Sequence, residues 1–253
     1  MRAGLIQYDP EWENKKMNSD KISWLLSHNY EKQDLLVFPE MTLTGFTMKA
    51  ADFAEDLNGE SFNFFAETAQ KYSVHILAGL IEKSEKKYYN TLVHIGPDGK
   101  LIKSYRKIHP FSYSTEDKNY AKGEETVITK INDMTAGLSI CYDLRFPELY
   151  RQYAKKKTDM IIVIANWPDT RIEHWRTLLR ARAIENQCYV LGVNRVGDDP
   201  KLKYPGYSSI IDPMGIELAS VSAEEKIVTA EILKEKADEV KASLPFLNDI
   251  RLL

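Results

Sequence analysis

Cysteine is scarce in this chain. Only Cys141 and Cys188 occur in 253 residues, too few for a disulfide-stapled secreted domain. No CxxC or HExxH occurs and the five histidines are scattered, so the sequence offers no metal-ligand cluster. It has no GxGxxG and no GxxxxGK[ST], which removes the commonest nucleotide and dinucleotide cofactors. No apolar run approaches the roughly 18–20 residues needed to cross a bilayer. Charge of one sign is also lacking: 34 basic against 37 acidic residues leave a net −3, which gives no reason to expect a nucleic-acid or membrane partner. Met1 to Gln7 leads straight into a short strand without an apolar signal core, so a cytoplasmic enzyme is expected.

What is present reads as one α/β domain over residues 1–253, with a 43% apolar share to build a core. Ala3–Tyr8, Leu35–Phe38, Val74–Leu80, Tyr88–Ile95 and Leu101–Tyr105 read as strands, with helices over Asn14–His28 and around Phe62–Ala69. Gly96-Pro97-Asp98-Gly99 marks a hairpin turn. Further on, strands end at Ile140, Ala165 and Asn194, and helices follow from Phe146 to about Lys156 and around Trp175 to Gln187. Gly206–Ile211 and Ile216–Ala219 read as a hairpin, Ile227–Ile232 as a last strand and Lys234 to about Ala242 as a helix. The tail from Leu244 to Leu253 is apolar enough to require packing on the body or on a second subunit.

Three stretches carry chemistry. Cys141 sits on a tight strand-to-helix bend before Phe146-Pro147-Glu148, where a side chain is lifted off the sheet and free N–H groups can hold an oxyanion. A small buried apolar cysteine would occupy the same position. Glu40 follows the buried run Leu35-Leu36-Val37-Phe38, where α/β folds place functional groups, although a capping or ion-paired glutamate fits there too. Lys107 ends the hairpin in Tyr105-Arg106-Lys107-Ile108-His109; alone it reads as a surface lysine. His109 reads as a loop histidine held extended by Pro110, with a Cys–His pairing as the alternative. The polar segment Ser112–Gly123, with Glu116 and Tyr120, reads as a loop over the sheet face.

Phe38-Pro39-Glu40-Met41, Tyr105-Arg106-Lys107-Ile108-His109 and Cys141-Tyr142-Asp143-Leu144-Arg145-Phe146-Pro147-Glu148, in this order, resemble the Glu–Lys–Cys motifs of the nitrilase superfamily of carbon–nitrogen hydrolases. That resemblance implies a four-layer α-β-β-α sandwich with two pseudo-related halves, a homodimer joined through outer helices, and no cofactor or metal. Ala165-Asn166-Trp167-Pro168, His174-Trp175-Arg176, Ala181 to Gln187 and Asn194-Arg195-Val196-Gly197 are similar to the omega-amidase branch. That branch hydrolyses the terminal amide of 2-oxo dicarboxylic acid monoamides such as 2-oxoglutaramate, and Glu116 matches its second glutamate.

The chemistry allowed is then a thiol attack by Cys141, with Glu40 as general base and Lys107 with the Tyr142 N–H holding the oxyanion. Glu116 orients Lys107 or the substrate amide. Arg145 either binds a substrate carboxylate or braces the bend by pairing with Asp143 or Glu148. Phe46, Phe111 and Trp167 are candidate pocket walls. The competing readings are another amidase, a carbamoylase or a nitrilase of the same superfamily, a Cys141–His109 hydrolase without a role for Lys107, and a non-enzymatic scaffold.

Overall fold

The computed structural model describes residues 1–252. The first half runs β1 (Arg2–Gln7), α1 (Lys15–Asn29), β2 (Leu35–Val37), α2 (Ala50–Phe53), α3 (Glu60–Tyr72), β3 (His75–Ser84), β4 (Lys87–Ile95), β5 (Leu101–Arg106) and the one-turn α4 (Glu116–Asn119). The second half runs β6 (Ile128–Ile131), β7 (Met134–Ile140), α5 (Pro147–Lys155), β8 (Met160–Ala165), α6 (Ile172–Asn186), β9 (Tyr189–Asn194), β10 (Val196–Asp198), β11 (Lys203–Ile211), β12 (Glu217–Ser222), β13 (Lys226–Glu231) and α7 (Lys234–Ser243).

Among the described residues these strands form two sheets, ordered β13-β1-β2-β3-β4-β5 and β10-β11-β9-β8-β7-β6, with β12 on β11. Each has three parallel central strands, β1-β2-β3 and β7-β8-β9, flanked by antiparallel ones. Strand alternation sorts the apolar runs into layers. Leu35 and Val37 meet Ile162 and Ile164 in the core between the sheets. Leu36 and Phe38 face the other way, onto Ile22, Leu26 and Phe65 of α1 and α3. Ile161 and Val163 likewise face Tyr153 of α5 and Trp175 and Leu179 of α6. A strand buried on both faces must be apolar throughout, which is why β2 and β8 carry no alternation in polarity. The order is helices, sheet, sheet, helices: the expected α-β-β-α sandwich.

Local signals fix most boundaries. Asn14 caps α1, its side chain accepting from the Met17 N–H at 3.1 Å. Pro147 opens α5. The expected loop over Ser112–Gly123 instead contains α4, which buries Glu116 completely. The tail is tied at its start by Gln187 Nε2 donating to the Leu244 carbonyl at 2.6 Å. Beyond that, Phe246 and Leu252 are 62% and 94% exposed on the single chain, so for them packing on the body does not occur. Leu253 lies outside the described residues. No helix of the described residues is long and apolar enough to cross a membrane.

The sheets are also pinned by a histidine pair, buried His94 and half-buried His75. His94 on β4 meets His75 Nδ1 through Nε2 at 3.0 Å and Thr129 of β6 through Nδ1 at 2.6 Å. Burial first, and the neighbouring His75 second, depress His94 from 6.5 to about 3. Below the unfolded value the unfolded chain takes up a proton that the fold refuses. This contribution to stability is therefore whole above about 6.5 and is lost as pH falls toward 3. Replacing His94 with Gln should flatten the pH dependence of unfolding between pH 6 and 4 by up to one proton, roughly 1.4 kcal/mol per pH unit. Denaturant titrations at several pH values check this, and an unchanged slope counts against it.

Candidate active site

Glu40 stands just past the end of β2, in a turn that runs tightly against β3. The next residue, Met41, has φ +45. The Thr42 hydroxyl donates to the Pro39 carbonyl at 2.6 Å, and the Gly79 N–H donates to that same hydroxyl at 3.2 Å. A Cβ on Gly79 would lie 2.6 Å from the Met41 nitrogen and 2.7 Å from the Glu40 Cα. Only glycine lets the turn approach this closely. Gly79→Ala is expected to push Glu40 out of place and cost about 10- to 100-fold in turnover, as small misplacements do. Kinetics beside a melting curve check it; wild-type activity would mean that the turn tolerates displacement.

Lys107 follows β5 and is not the surface lysine its sequence context suggests: it is 1% exposed. Its Nζ donates to Glu40 Oε1 at 2.8 Å and to Glu116 Oε2 at 2.9 Å. Asn90 of β4 ties the same two carboxylates together, its Nδ2 donating to Glu40 Oε1 at 2.7 Å and to Glu116 Oε1 at 2.9 Å. Glu116 also accepts the Phe111 N–H at 2.5 Å. Burial works against the Lys107 ammonium, but the charges of Glu116 and Glu40 outweigh it and hold the lysine well above its ordinary value. Burial pushes the Glu116 carboxyl up, against the pull of Lys107 and with the push of Glu40.

Cys141 directly follows β7 and opens a short 3-10 turn through Arg145, with Cys141 itself at φ +47. A non-glycine residue there carries strain of roughly 1–3 kcal/mol and persists only where its surroundings over-determine it. Asp143 is that determinant. Fully buried, it accepts from the Ile140 N–H at 3.0 Å, the Tyr105 hydroxyl at 2.7 Å and the His109 N–H at 3.0 Å, and meets His109 Nδ1 at 2.8 Å. Two alternatives are thereby corrected. Arg145 does not brace the bend, because Asp143 is occupied by other donors and no ion pair joins Arg145 to Asp143 or Glu148 among the described residues. His109 does not pair with the thiol: it is engaged by Asp143 and stacked on Phe146 at 3.8 Å between ring centroids.

The Cys141 Sγ donates to the Asn166 carbonyl at 3.9 Å. Burial, then the charge of Glu40, pushes the thiol well above its ordinary value, with Lys107 opposing. Asn166, at the end of β8, donates its backbone N–H to Glu40 Oε2 at 2.9 Å and its Nδ2 to the Glu40 carbonyl at 2.7 Å. Glu40 Oε1 thus takes two donors, while Oε2 takes the Asn166 N–H as its short contact. Asn90 and Asn166 were missed in the sequence because a polar residue in or after an apolar strand gives no sign of what it faces.

Cys141 opens into a pocket of about 390 Å³ whose walls include the three candidate wall residues, Phe46, Phe111 and Trp167, together with Tyr142 and Arg145. The Arg145 guanidinium lies 4.8 Å from the Trp167 ring centroid, with both terminal nitrogens 3.2 Å from His174 Nδ1. Trp12, Met48, Arg171 and Tyr204 are among the other wall residues and were not singled out from sequence. For Arg171 a signal existed, since it sits in the loop leaving the C-terminal end of β8. No group of three or more His, Cys, Asp or Glu among the described residues is arranged to hold a metal ion.

The family profile for carbon-nitrogen hydrolases matches residues 2–242. The chain is 36% identical to the 2-oxoglutaramate amidase of Bacillus subtilis, over 97% of this chain and 96% of that protein. It is 37% identical to the 2-oxoglutaramate amidase of Paenarthrobacter nicotinovorans, over 95% and 87%. A crystal structure of a CN-hydrolase superfamily protein from Xanthomonas campestris superimposes with a TM-score of 0.95 at 33% identity, covering 100% of this chain and 98% of that one. The chain belongs to the carbon–nitrogen hydrolases of the nitrilase superfamily.

Proposed function

We propose that this protein is a thiol-dependent omega-amidase that hydrolyses the terminal amide of a 2-oxo dicarboxylic acid monoamide, such as 2-oxoglutaramate, to the acid and ammonia. The observation that carries the reading is the buried Glu40–Lys107–Glu116 cluster beside a cysteine at a pocket that also presents an arginine without a carboxylate partner. The similarity to two proteins named 2-oxoglutaramate amidase supports the substrate.

A cysteine pushed up by burial and by Glu40 rests as the thiol, so attack and proton removal are coupled. The thiol proton passes to Glu40 as the sulfur–carbon bond forms. The amide oxygen becomes an oxyanion held by Lys107 and the Tyr142 N–H; in other enzymes one such donor is worth about 10²–10³ in rate. Glu40 returns the proton to the departing nitrogen, the carbon–nitrogen bond breaks, and ammonia leaves a thioester on Cys141. Water, losing a proton to Glu40, attacks the thioester; the acid and the thiol are released. Glu116 keeps Lys107 charged and aimed, and Arg145 takes the substrate carboxylate. A single domain over 1–253 performs all of this without a metal or cofactor, in the cytoplasm, where both free cysteines stay reduced. Its homodimer uses the outer face of α6 and the β11–β12 turn beside it, where Ile184 and, in the turn, Met214 and Ile216 are exposed.

Ammonia release from 2-oxoglutaramate, succinamate, a neutral aliphatic amide and a simple nitrile tests the reading. The 2-oxo amide should give the highest kcat/KM. Faster turnover of the neutral amide or the nitrile would keep the hydrolase and discard this substrate.

A further inference from the structure

Seven arginines in the chain are not exposed: Arg106, Arg145, Arg151, Arg171, Arg176, Arg182 and Arg195. Five of them close on a carboxylate, namely Glu82, Glu185 (with both Arg151 and Arg182), Glu173 and Asp9. Arg145 and Arg171 have no carboxylate partner among the described residues, and both line the same pocket. The acids of that wall are already used. Glu13 pairs with Lys49. Asp199 accepts from the Tyr204 hydroxyl at 2.5 Å and from the Lys201 and Leu202 N–H groups. Two guanidiniums without a carboxylate partner, lining one small pocket, repel each other unless an anion joins them. Arg145 accordingly sits below its usual value, through burial first and the charge of Arg171 second.

Trp167 touches both residues, at the Arg145 guanidinium and at the Arg171 backbone. Its ring carries Arg145, while its indole N–H donates to the Arg171 carbonyl at 2.8 Å. The Arg171 guanidinium stands 5.6 Å from the Phe111 ring centroid, and its one side-chain hydrogen bond is a 3.4 Å contact to the Thr170 hydroxyl. Its donors are held over an aromatic face and left free for a planar acceptor.

We propose that Arg171 is a specificity-determining residue of the site, closing with Arg145 on the carboxylate end of the substrate so that the pocket selects amides carrying an anionic head. The proposal rests on the amidase reading above. It assigns to Arg171 the choice between charged and neutral amides, a role apart from bond breaking at Cys141.

The test compares kcat/KM for 2-oxoglutaramate with that for a neutral amide of equal chain length, in wild type, Arg171→Gln, Arg171→Lys and Arg145→Gln. Circular dichroism and melting curves confirm folding of each variant. In Arg171→Gln the charged-to-neutral ratio should fall about 10- to 100-fold, the range for a lost hydrogen bond to a charged group, with KM absorbing more of the loss than kcat. Arg171→Lys should restore part of the ratio, because it keeps the charge without the planar fork. An unchanged ratio in Arg171→Gln, with collapse in Arg145→Gln, overturns the proposal and leaves Arg145 alone as the carboxylate ligand. Equal losses on both amides, carried by kcat, overturn it by making Arg171 a structural residue of its turn. Failure of the wild type to prefer the 2-oxo amide would instead refute the substrate reading itself.

Discussion

Cys141→Ala should lose ammonia release from 2-oxoglutaramate by about 10⁴- to 10⁶-fold, the range seen when a nucleophile is removed from a coupled site. Nothing else in the pocket replaces it: Cys188 is fully buried in the core between the second sheet and its helices. The variant should fold, because only the thiol is deleted and the bend is held by Asp143. Stability adds a second readout. Cys141 is at φ +47, where glycine pays no steric penalty. Cys141→Gly should therefore be more stable than Cys141→Ala by about 1 kcal/mol, the reverse of the usual order for these residues. Denaturant unfolding of the two inactive variants measures it. Alanine matching or exceeding glycine would mean that the bend carries no strain to relieve.

Lys107→Met should be the most destabilising substitution in the site. It leaves Glu40 and Glu116 facing each other inside the protein without their cation, and breaking a buried ion cluster in this way typically costs about 3–5 kcal/mol. Activity should fall at least about 10²-fold through the lost oxyanion donor. The pH dependence follows from sign. In the wild type Lys107 is held above its ordinary value, so its contribution is whole through the neutral range and is lost only as pH rises through that folded value. In the variant Glu116, already raised by burial, loses the opposing pull of Lys107 and rises further. The unfolded chain ionises it above about 4.5, where the fold resists ionisation. The stability deficit should thus be largest near neutral pH and shrink as pH falls toward 4.5. Lys107→Met combined with Glu116→Gln should recover stability but not activity. A single variant with wild-type stability at pH 7 would refute the ion cluster as described.

Much of this was legible before any coordinates. Apolar runs at β2 and β8 announce a doubly covered sheet, because a polar group buried on either face needs a partner to offset its lost hydration. The placement of Glu40 and Cys141 just beyond such runs is equally visible. Lys107 and Glu116 were not readable as buried from local pattern: each needs the other's charge to be underground, and the Glu116 helix folds back over Lys107 within the β5–β6 connection. Only the order of three motifs pointed to Lys107, and only the branch resemblance to Glu116. Asn90, Asn166 and Asp143 lie beyond such reasoning, since their roles are fixed by partners up to 126 residues away. His109 shows the reverse case, a residue of catalytic type beside the nucleophile's turn that, as its loop position before Pro110 suggested, takes no part in the thiol chemistry and is spent on holding Asp143.

The central claim is a covalent acyl group on Cys141 during amide hydrolysis. The most direct measurement is acid quenching of the enzyme during steady turnover of 2-oxoglutaramate, followed by peptide mass analysis with Cys141→Ala in parallel. The account predicts the acyl group of the substrate on the Cys141 peptide alone, with Cys188 unmodified and ammonia release abolished in the variant. An unacylated Cys141 together with ammonia release at the wild-type rate by Cys141→Ala would contradict it.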